Sequence, residues 1–277
     1  LANQVPYGLT AGFQGLDSRE QAYWTQHMEA GNLYINRPIT GAIVRRQPFG
    51  GIKASSFGNG SKAGGPNYLR EFMTATQVGL PQEKFPVNES VNHLTGYLEN
   101  IDLSAEQLGM WTASVANYAF WWRRLKQPRD PTKIVGQDNF FRYFPRNAIV
   151  LRFEKHSSPM DSLRVIAAAL TVGAEFEISS QPGSWVYEGL KIVQEDESTL
   201  VKRMQEGKIQ RIRLVGEGSR TLKEAAAAAS IHLIDAPVLA NGRLELLHYL
   251  REISISADYH RYGNLGFRDG ELRSPIL

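Results

Sequence analysis

The chain has no cysteine among its 277 residues. That excludes disulfides, thiolate metal sites and any thiol nucleophile of its own. Its six histidines, at 27, 93, 156, 232, 248 and 260, show no ligand spacing, so no metal site is expected. No apolar run approaches the ~20 residues needed to span a bilayer. The opening Leu1-Ala-Asn-Gln-Val-Pro-Tyr-Gly8 has neither a basic nor a hydrophobic leader segment, which argues against a signal peptide. Clustered positive charge is also scarce. The net charge is +3 and the only adjacent arginines are Arg45-Arg46 and Arg123-Arg124, so a nucleic-acid partner is not expected.

What remains is ordinary for a globular protein: 42% hydrophobic and 21% charged residues, enough chain for one or two domains, with the cytoplasm as default compartment. The first residue is not methionine and the chain opens in mid-motif, so it is expected to be the C-terminal piece of a longer polypeptide.

The most informative stretch is residues 47–69, Gln-Pro-Phe-Gly-Gly-Ile-Lys-Ala-Ser-Ser-Phe-Gly-Asn-Gly-Ser-Lys-Ala-Gly-Gly-Pro-Asn-Tyr-Leu. Six glycines are interrupted by aromatic and apolar residues, which separates it from a flexible linker. Bare backbone lets another group approach closely, and a long loop of this kind is commonly functional, although a surface loop without a ligand has the same composition.

Pro48-Phe-Gly-Gly-Ile-Lys-Ala-Ser resembles the glycine-rich block near the end of the catalytic domain of aldehyde dehydrogenases. Lys62-Ala-Gly-Gly-Pro-Asn-Tyr-Leu69 narrows the resemblance to the L-glutamate γ-semialdehyde (1-pyrroline-5-carboxylate) dehydrogenases, which include part of the proline utilization A proteins. Gly31-Asn-Leu-Tyr-Ile-Asn-Arg37 and Thr40-Gly-Ala-Ile-Val44 are similar to the same group, over roughly residues 7–80. The resemblance implies a cysteine thiolate that attacks the aldehyde and a hemithioacetal that passes hydride to NAD. This chain has no such cysteine, so nucleophile, general base and the main NAD-binding half would lie upstream, and no catalytic residue is assigned here.

The resemblance also implies that backbone amides at Gly64 and Gly65 hold the substrate α-carboxylate and that Phe72 flanks the substrate chain, although a phenylalanine after a helix is as readily a core residue. A carboxylate suits bare amides because several N–H groups can converge on one anion. The family pattern has glycine after the serine of the block, whereas Ser56 and Phe57 follow Ser55, so neither serine is given a ligand role. Lys53 and Lys62 could attract an acidic substrate, but as exposed lysines they are expected to serve solubility.

In order along the chain, a strand is expected over 9–14 and a helix from the capping box Asp17-Ser-Arg-Glu20 to about residue 29, ended near Gly31. A buried strand over 32–36, a short helix over 68–73 and a strand over 74–80 follow. Residues 81–94 read as a linker. A second capping box, Ser104-Ala-Glu-Gln107, opens a helix to about Lys126, with Leu108, Trp111, Val115, Tyr118 and Trp122 on one apolar face. The Trp121-Trp122 pair reads as packing. From Asn147, strands over 148–153, 175–179, 190–194, 209–215 and 232–234 alternate with helices over 158–173, 197–206, 220–230 and 243–251. A last strand over 253–256 follows. Such alternation predicts a parallel, doubly wound sheet.

The fold expected is therefore α/β: residues 1–80 as the end of an aldehyde dehydrogenase catalytic domain, then a Rossmann-like parallel-sheet domain over 95–256 and a tail over 257–277. Residues 136–146 and 166–173 resemble the extra C-terminal domain of long proline utilization A proteins, a degenerate copy of the family's NAD domain. Its turn Leu214-Val-Gly-Glu-Gly-Ser-Arg220 suits a phosphate at a helix N-terminus. Glu217 opposes phosphate, however, and Arg152-Phe-Glu-Lys155 replaces the family's ribose-binding Lys-Pro-Ser/Ala-Glu, so no bound NAD is expected in this segment.

The function implied is that of a segment of an NAD-dependent glutamate γ-semialdehyde dehydrogenase of proline catabolism, inactive alone, carrying the carboxylate loop and a noncatalytic lid or assembly domain. Its expected partners are the upstream dehydrogenase region, the semialdehyde and further copies of itself; FAD would join them if a proline dehydrogenase domain precedes it. The alternative is a free-standing interaction or nucleotide-binding Rossmann-like protein. Glu252-Ile-Ser-Ile-Ser-Ala-Asp-Tyr-His-Arg-Tyr262 resembles the C-terminal motif of long proline utilization A proteins. Alternation of Ile253 and Ile255 with Ser254 and Ser256 suits docking at a sheet edge, with Tyr259 and Tyr262 as interface rings, or equally a strand completing the second domain's own sheet.

Overall fold

The computed structural model describes residues 1–260 other than Phe57, Asn100 and residues 185–188. The chain divides into two units, each built from non-contiguous segments: residues 1–74, 125–144 and 251 onward form the first, and residues 75–124 and 145–250 the second.

In the first unit, β1 (Tyr7–Gly8), β2 (Thr10–Phe13), α1 (Ser18–His27), β3 (Asn32–Ile35) and β4 (Ile52–Lys53) come from the N-terminal segment. Asp17 caps α1 by accepting from the Arg19 N–H at 2.8 Å. All four residues of β3 are buried, as a run without polar alternation requires of a central strand. Its sheet has the order β2-β3-β11-β5, where β5 is Gln137–Pro145 and β11 is Leu250–Asp258. Both β2 and β11 run parallel to β3, with Ser254 opposite Asn32 and Ser256 opposite Tyr34. Ala30, Leu33, Ile35, Ile52, Ile253 and Ile255 form one core cluster here.

This differs from the expected domain boundaries. The strand over 253–256 does not complete the second domain's sheet; it is longer than expected and joins β3. Stretch 137–145, given no element from sequence, is a nine-residue strand of the same sheet. Parallel partners need a long crossover connection, so the intervening chain can fold as a separate unit while both ends return to one sheet. Tyr259 continues from β11, its N–H reaching the Gly136 carbonyl at 3.0 Å. Tyr262 and the tail beyond it lie outside the described residues.

The second unit holds α2 (Glu89–Leu98) and all but the last residue of α3 (Ala105–Leu125), then β6 (Ile149–Phe153), α4 (Pro159–Val172), β7 (Phe176–Ser180), β8 (Ile192–Gln194), α5 (Glu197–Gln205), β9 (Arg211–Val215), α6 (Arg220–Ala228), β10 (His232–Ile234) and α7 (Gly242–Glu245). Its sheet order is β10-β9-β6-β7-β8, every pair parallel. The first strand sits in the middle and the chain winds outward both ways, the order of a doubly wound dinucleotide-type sheet. One face is packed by Leu200 and Met204 of α5 and Leu222 and Ala226 of α6 against Ile212 and Leu214.

Local signals explain the helices. Ser158 caps α4, Pro159 stands where its missing N–H costs nothing, and Gly173 ends the helix at φ 74°. At α3, Ser104 and Gln107 exchange reciprocal bonds of 3.2 and 2.9 Å, as a capping box should. Trp111, Val115 and Tyr118 are buried, but Leu108 is exposed and Trp122 only half-buried.

Three expectations fail. The linker over 81–94 contains the start of α2, where Asn88 accepts from the Val91 N–H at 2.9 Å and Val91, Leu94 and Leu98 are buried. Residues 74–80 form no strand. The helix expected over 243–251 stops early, a short α turn passing into a 3-10 helix, Leu246–Tyr249, before β11.

Candidate functional site: the glycine-rich turn

The stretch from Gln47 to Asn67 is held in shape by its own backbone and by side chains of β3 and β11. Phe49 and Ala63 pair antiparallel, with bonds of 3.0 and 2.9 Å. Asn32, buried on β3, donates to the Pro48 carbonyl at 3.2 Å and accepts from the Gly50 N–H at 3.1 Å. Ser55 does structural work, accepting from the Gly8 N–H at 3.1 Å.

Lys62 is not a surface lysine. It is 0% exposed, and its ammonium donates to the Gly50 carbonyl and to Asn32 Oδ1. The stem lies along Gly50, where absence of a side chain leaves it room. Burial pushes its pKa down to about 7, with the nearby Glu252 carboxylate opposing the shift. Lys53, exposed in the expectation, pairs with Glu29 at 2.7 Å.

A pH dependence follows. The folded pKa lies below the ordinary 10.5, so the unfolded chain binds more protons between the two values. The penalty is fully present below pH 7 and is relieved as pH rises toward 10. Between pH 7 and 9 Lys62 is expected to add about 2 kcal/mol of stability. Urea titrations at those pH values should show this gain in the wild type and lose it in Lys62→Met; equal slopes for both would refute it.

The turn of interest follows Lys62. Gly64 adopts φ 73°, and a Cβ there would stand 2.7 Å from the Val44 carbonyl oxygen and 2.4 Å from its Cγ1. Gly65 differs: its N–H donates to the Lys62 carbonyl at 2.9 Å, closing the turn, while the Gly64 N–H donates to none of the described groups. Of the two amides expected to act together, one is therefore engaged within the turn.

Tyr68–Phe72 is a 3-10 helix, and Phe72 at its end is 75% exposed, stacked edge-on against Tyr68. Phe72 is thus no core residue among the described contacts. Glu71 holds Ser61 and Asn59 at 2.5 and 3.1 Å, tying the helix back to the loop.

Sequence reasoning missed the residues that grip this turn from outside. Glu252 of β11 accepts from the Lys62 N–H at 2.9 Å through one oxygen and from the Asn67 amide at 2.6 Å through the other. The same amide donates to the Tyr143 hydroxyl on β5 at 2.8 Å. A single glutamate heading an alternating Ile/Ser strand was the available signal.

The Gly216 turn of the second unit is occupied differently. Gly216 has φ 96°, and its missing side chain makes room for Glu154, a buried carboxylate at the end of β6. Arg152 is fully buried, donating to Glu154 at 2.9 Å, to Ser179 at 2.9 Å and to the Glu195 carbonyl at 2.9 Å. At the point of a doubly wound sheet where a cofactor phosphate would lie, the chain has a carboxylate. Among the described residues no cluster of three or more His, Cys, Asp or Glu could hold a metal, and no helix is long and apolar enough to cross a membrane.

A glycine-built turn beside a four-stranded mixed sheet, followed by a doubly wound unit, has counterparts among known proteins. Residues 1–78 match the aldehyde dehydrogenase family. The chain is also similar to the bifunctional protein PutA of Rhizobium meliloti, 32% identical over 181 residues, which is 65% of this chain and 14% of the relative. The 1-pyrroline-5-carboxylate dehydrogenase of Oceanobacillus iheyensis is 48% identical over 79 residues, 28% of this chain and 15% of that protein. The solved proline utilization A of Corynebacterium freiburgense superposes with a TM-score of 0.68 at 33% identity, covering 94% of this chain and 24% of that one. The resemblance seen in the sequence thus holds for the regions these matches cover, and so does the α/β fold. The chain spans well under a third of each of these relatives.

Proposed function

We propose that this chain is a segment of an NAD-dependent glutamate γ-semialdehyde dehydrogenase in which the turn at Gly64-Gly65 receives the substrate α-carboxylate. The observation that carries the reading is the unengaged Gly64 N–H, held in a rigid turn made of bare backbone. Gly64 is exposed, so its N–H is open to an incoming anion, and a turn already fixed in shape needs little reorganisation to bind one. Phe72, exposed on the helix that follows, supplies the apolar wall for the substrate's carbon chain. The thiolate, the general base and the NAD site come from an upstream region of the same polypeptide, as the PutA similarity suggests, and copies of that polypeptide associate. The second unit is a noncatalytic lid or assembly domain, a reading supported by the buried Arg152–Glu154 ion pair beside the Gly216 turn.

The test is made in the complete encoded polypeptide. Gly64→Ala displaces the turn from Val44, and losing a charge-assisted hydrogen bond is worth about 1.5–3 kcal/mol, or roughly tenfold to hundredfold in kcat/KM. That loss is expected for glutamate γ-semialdehyde and not for hexanal, which lacks the carboxylate. Equal losses for both aldehydes would reduce the turn to a structural element. As a second arm, the 277-residue chain should produce no NADH from the semialdehyde and no saturable heat with NAD in calorimetry; either signal would count against the division of labour.

A further inference from the structure

The two ends of the turn, Lys62 and Asn67, are joined by one side chain that comes from the other end of the chain. Glu252 is buried on β11, with one carboxylate oxygen on the Lys62 N–H and the other on the Asn67 amide. Neighbouring positions of the same strand repeat the pattern. Ser254 donates to the Pro48 carbonyl at 2.5 Å, and the Ser256 hydroxyl accepts from the Gln47 amide at 3.0 Å. Residues 252, 254 and 256 share one side of β11 because side chains alternate along a strand. That side is therefore a polar, buried surface shaped to the loop, while Ile253 and Ile255 on the other side pack in the core.

We propose that Glu252 is a positioning residue for substrate recognition: its carboxylate clamps the turn at Lys62 and Asn67 and so holds the Gly64 amide ready for a carboxylate-bearing aldehyde. This rests on the reading of the turn as the carboxylate anchor. A two-point clamp acts on orientation and not on bond-making, so it governs binding of the acidic substrate far more than turnover. It also makes the last described strand of the chain a determinant of specificity, although Glu252 lies 188 residues beyond Gly64 (252 − 64). Glutamine in its place keeps the shape but offers only one acceptor oxygen, so one end of the turn is released.

The experiment compares Glu252→Gln with wild type in the complete polypeptide. Expected are a KM for glutamate γ-semialdehyde raised about tenfold, kcat within about twofold, and unchanged kcat/KM for hexanal. Asn67→Ala removes the other half of the clamp with Glu252 intact, and should raise the same KM by a smaller factor and add little to Glu252→Gln. In the 277-residue chain, hydrogen exchange at the Lys62 amide should quicken in Glu252→Gln.

Parallel losses for both aldehydes would overturn the proposal in favour of a general folding role. Faster Lys62 exchange with unchanged KM would overturn it as well, since the clamp would then not reach the substrate. If Gly64→Ala alters selectivity and Glu252→Gln does not, the clamp alone fails. If neither variant alters selectivity, the carboxylate-anchor reading fails, and the clamp with it.

Discussion

Gly31→Ala is expected to unfold the first unit or bring it close to unfolding. A Cβ on Gly31 would stand 2.0 Å from the Gly50 carbonyl oxygen and 2.8 Å from both Gly51 Cα and Lys62 Nζ. Two of these neighbours are backbone and cannot rotate away. Gly31 itself cannot retreat, because its N–H donates to the Gly8 carbonyl at 2.9 Å and its carbonyl accepts from the Ser254 N–H at 3.0 Å. Relief requires separating the loop from β3 or β3 from β11, either of which exposes core. The expected loss exceeds about 4 kcal/mol, the range reserved for severe steric conflict in a packed interior.

Two glycines serve as controls. Gly109 lies inside α3 with open space around its missing Cβ, so Gly109→Ala should stabilise by about 0.5–1 kcal/mol through helix propensity. Gly41 also faces open space but has φ 79°, so alanine there should cost only the left-handed penalty, about 1–2 kcal/mol. Urea denaturation of the three variants checks the ordering, and a Gly31→Ala loss no greater than that of Gly41→Ala would refute the close-approach argument.

Glu245→Ala should damage the second unit nearly as badly. Arg213 on β9 and Glu245 at the end of α7 are both wholly buried, 3.1 Å apart. The carboxylate also accepts from the Tyr249 hydroxyl at 3.0 Å and the Leu239 N–H at 3.0 Å. Removing it strands a buried guanidinium, a hydroxyl and an amide at once. Breaking one side of a buried pair costs about 3–5 kcal/mol because the remaining charge is uncompensated. Arg213 keeps the Ala236 carbonyl at 2.7 Å, which softens the loss without neutralising the charge.

Glu245→Gln, which retains acceptors, should lose less than Glu245→Ala. The double change Arg213→Met with Glu245→Leu should be more stable than Glu245→Ala, because no charge is left buried. Thermal unfolding of the three variants gives the comparison. A single mutant as stable as wild type would mean that water reaches Arg213 readily, and the argument from burial would be lost.

The helices of the second unit were legible because their signals are local. Ser158, Pro159 and Gly173 write the ends of α4 within the chain that forms it, and Ser104 with Gln107 does the same for α3. Asn88 and the spacing Val91, Leu94, Leu98 carried equal information for α2, but the prolines just before them pulled the reading toward a linker. The short α7 was overread for a different reason. Its apolar residues continue at helical spacing, yet β11 needs an extended chain from Leu250 onward, and pairing with β3 wins over local propensity.

By itself the sequence determined the period-2 pattern of residues 253–256, the βα alternation and the glycine pattern of the turn, all of which depend on neighbours a few residues apart. Tertiary structure decided which sheet that last strand enters and which of its faces is buried. Alternation of isoleucine and serine suggested one apolar face, suited to docking at a sheet edge or to the second domain's own sheet; in the fold both faces are covered, one by core and one by the glycine-rich loop. Lys62 shows the same limit. A lysine is read as exposed because burying its charge is costly, and only the fold could show that the Gly50 carbonyl and Asn32 wait at the end of its stem. Polar groups are buried when partners from distant segments converge on them, and convergence of residues 32, 62, 67, 143 and 252 is a property of strand order, which no local pattern encodes.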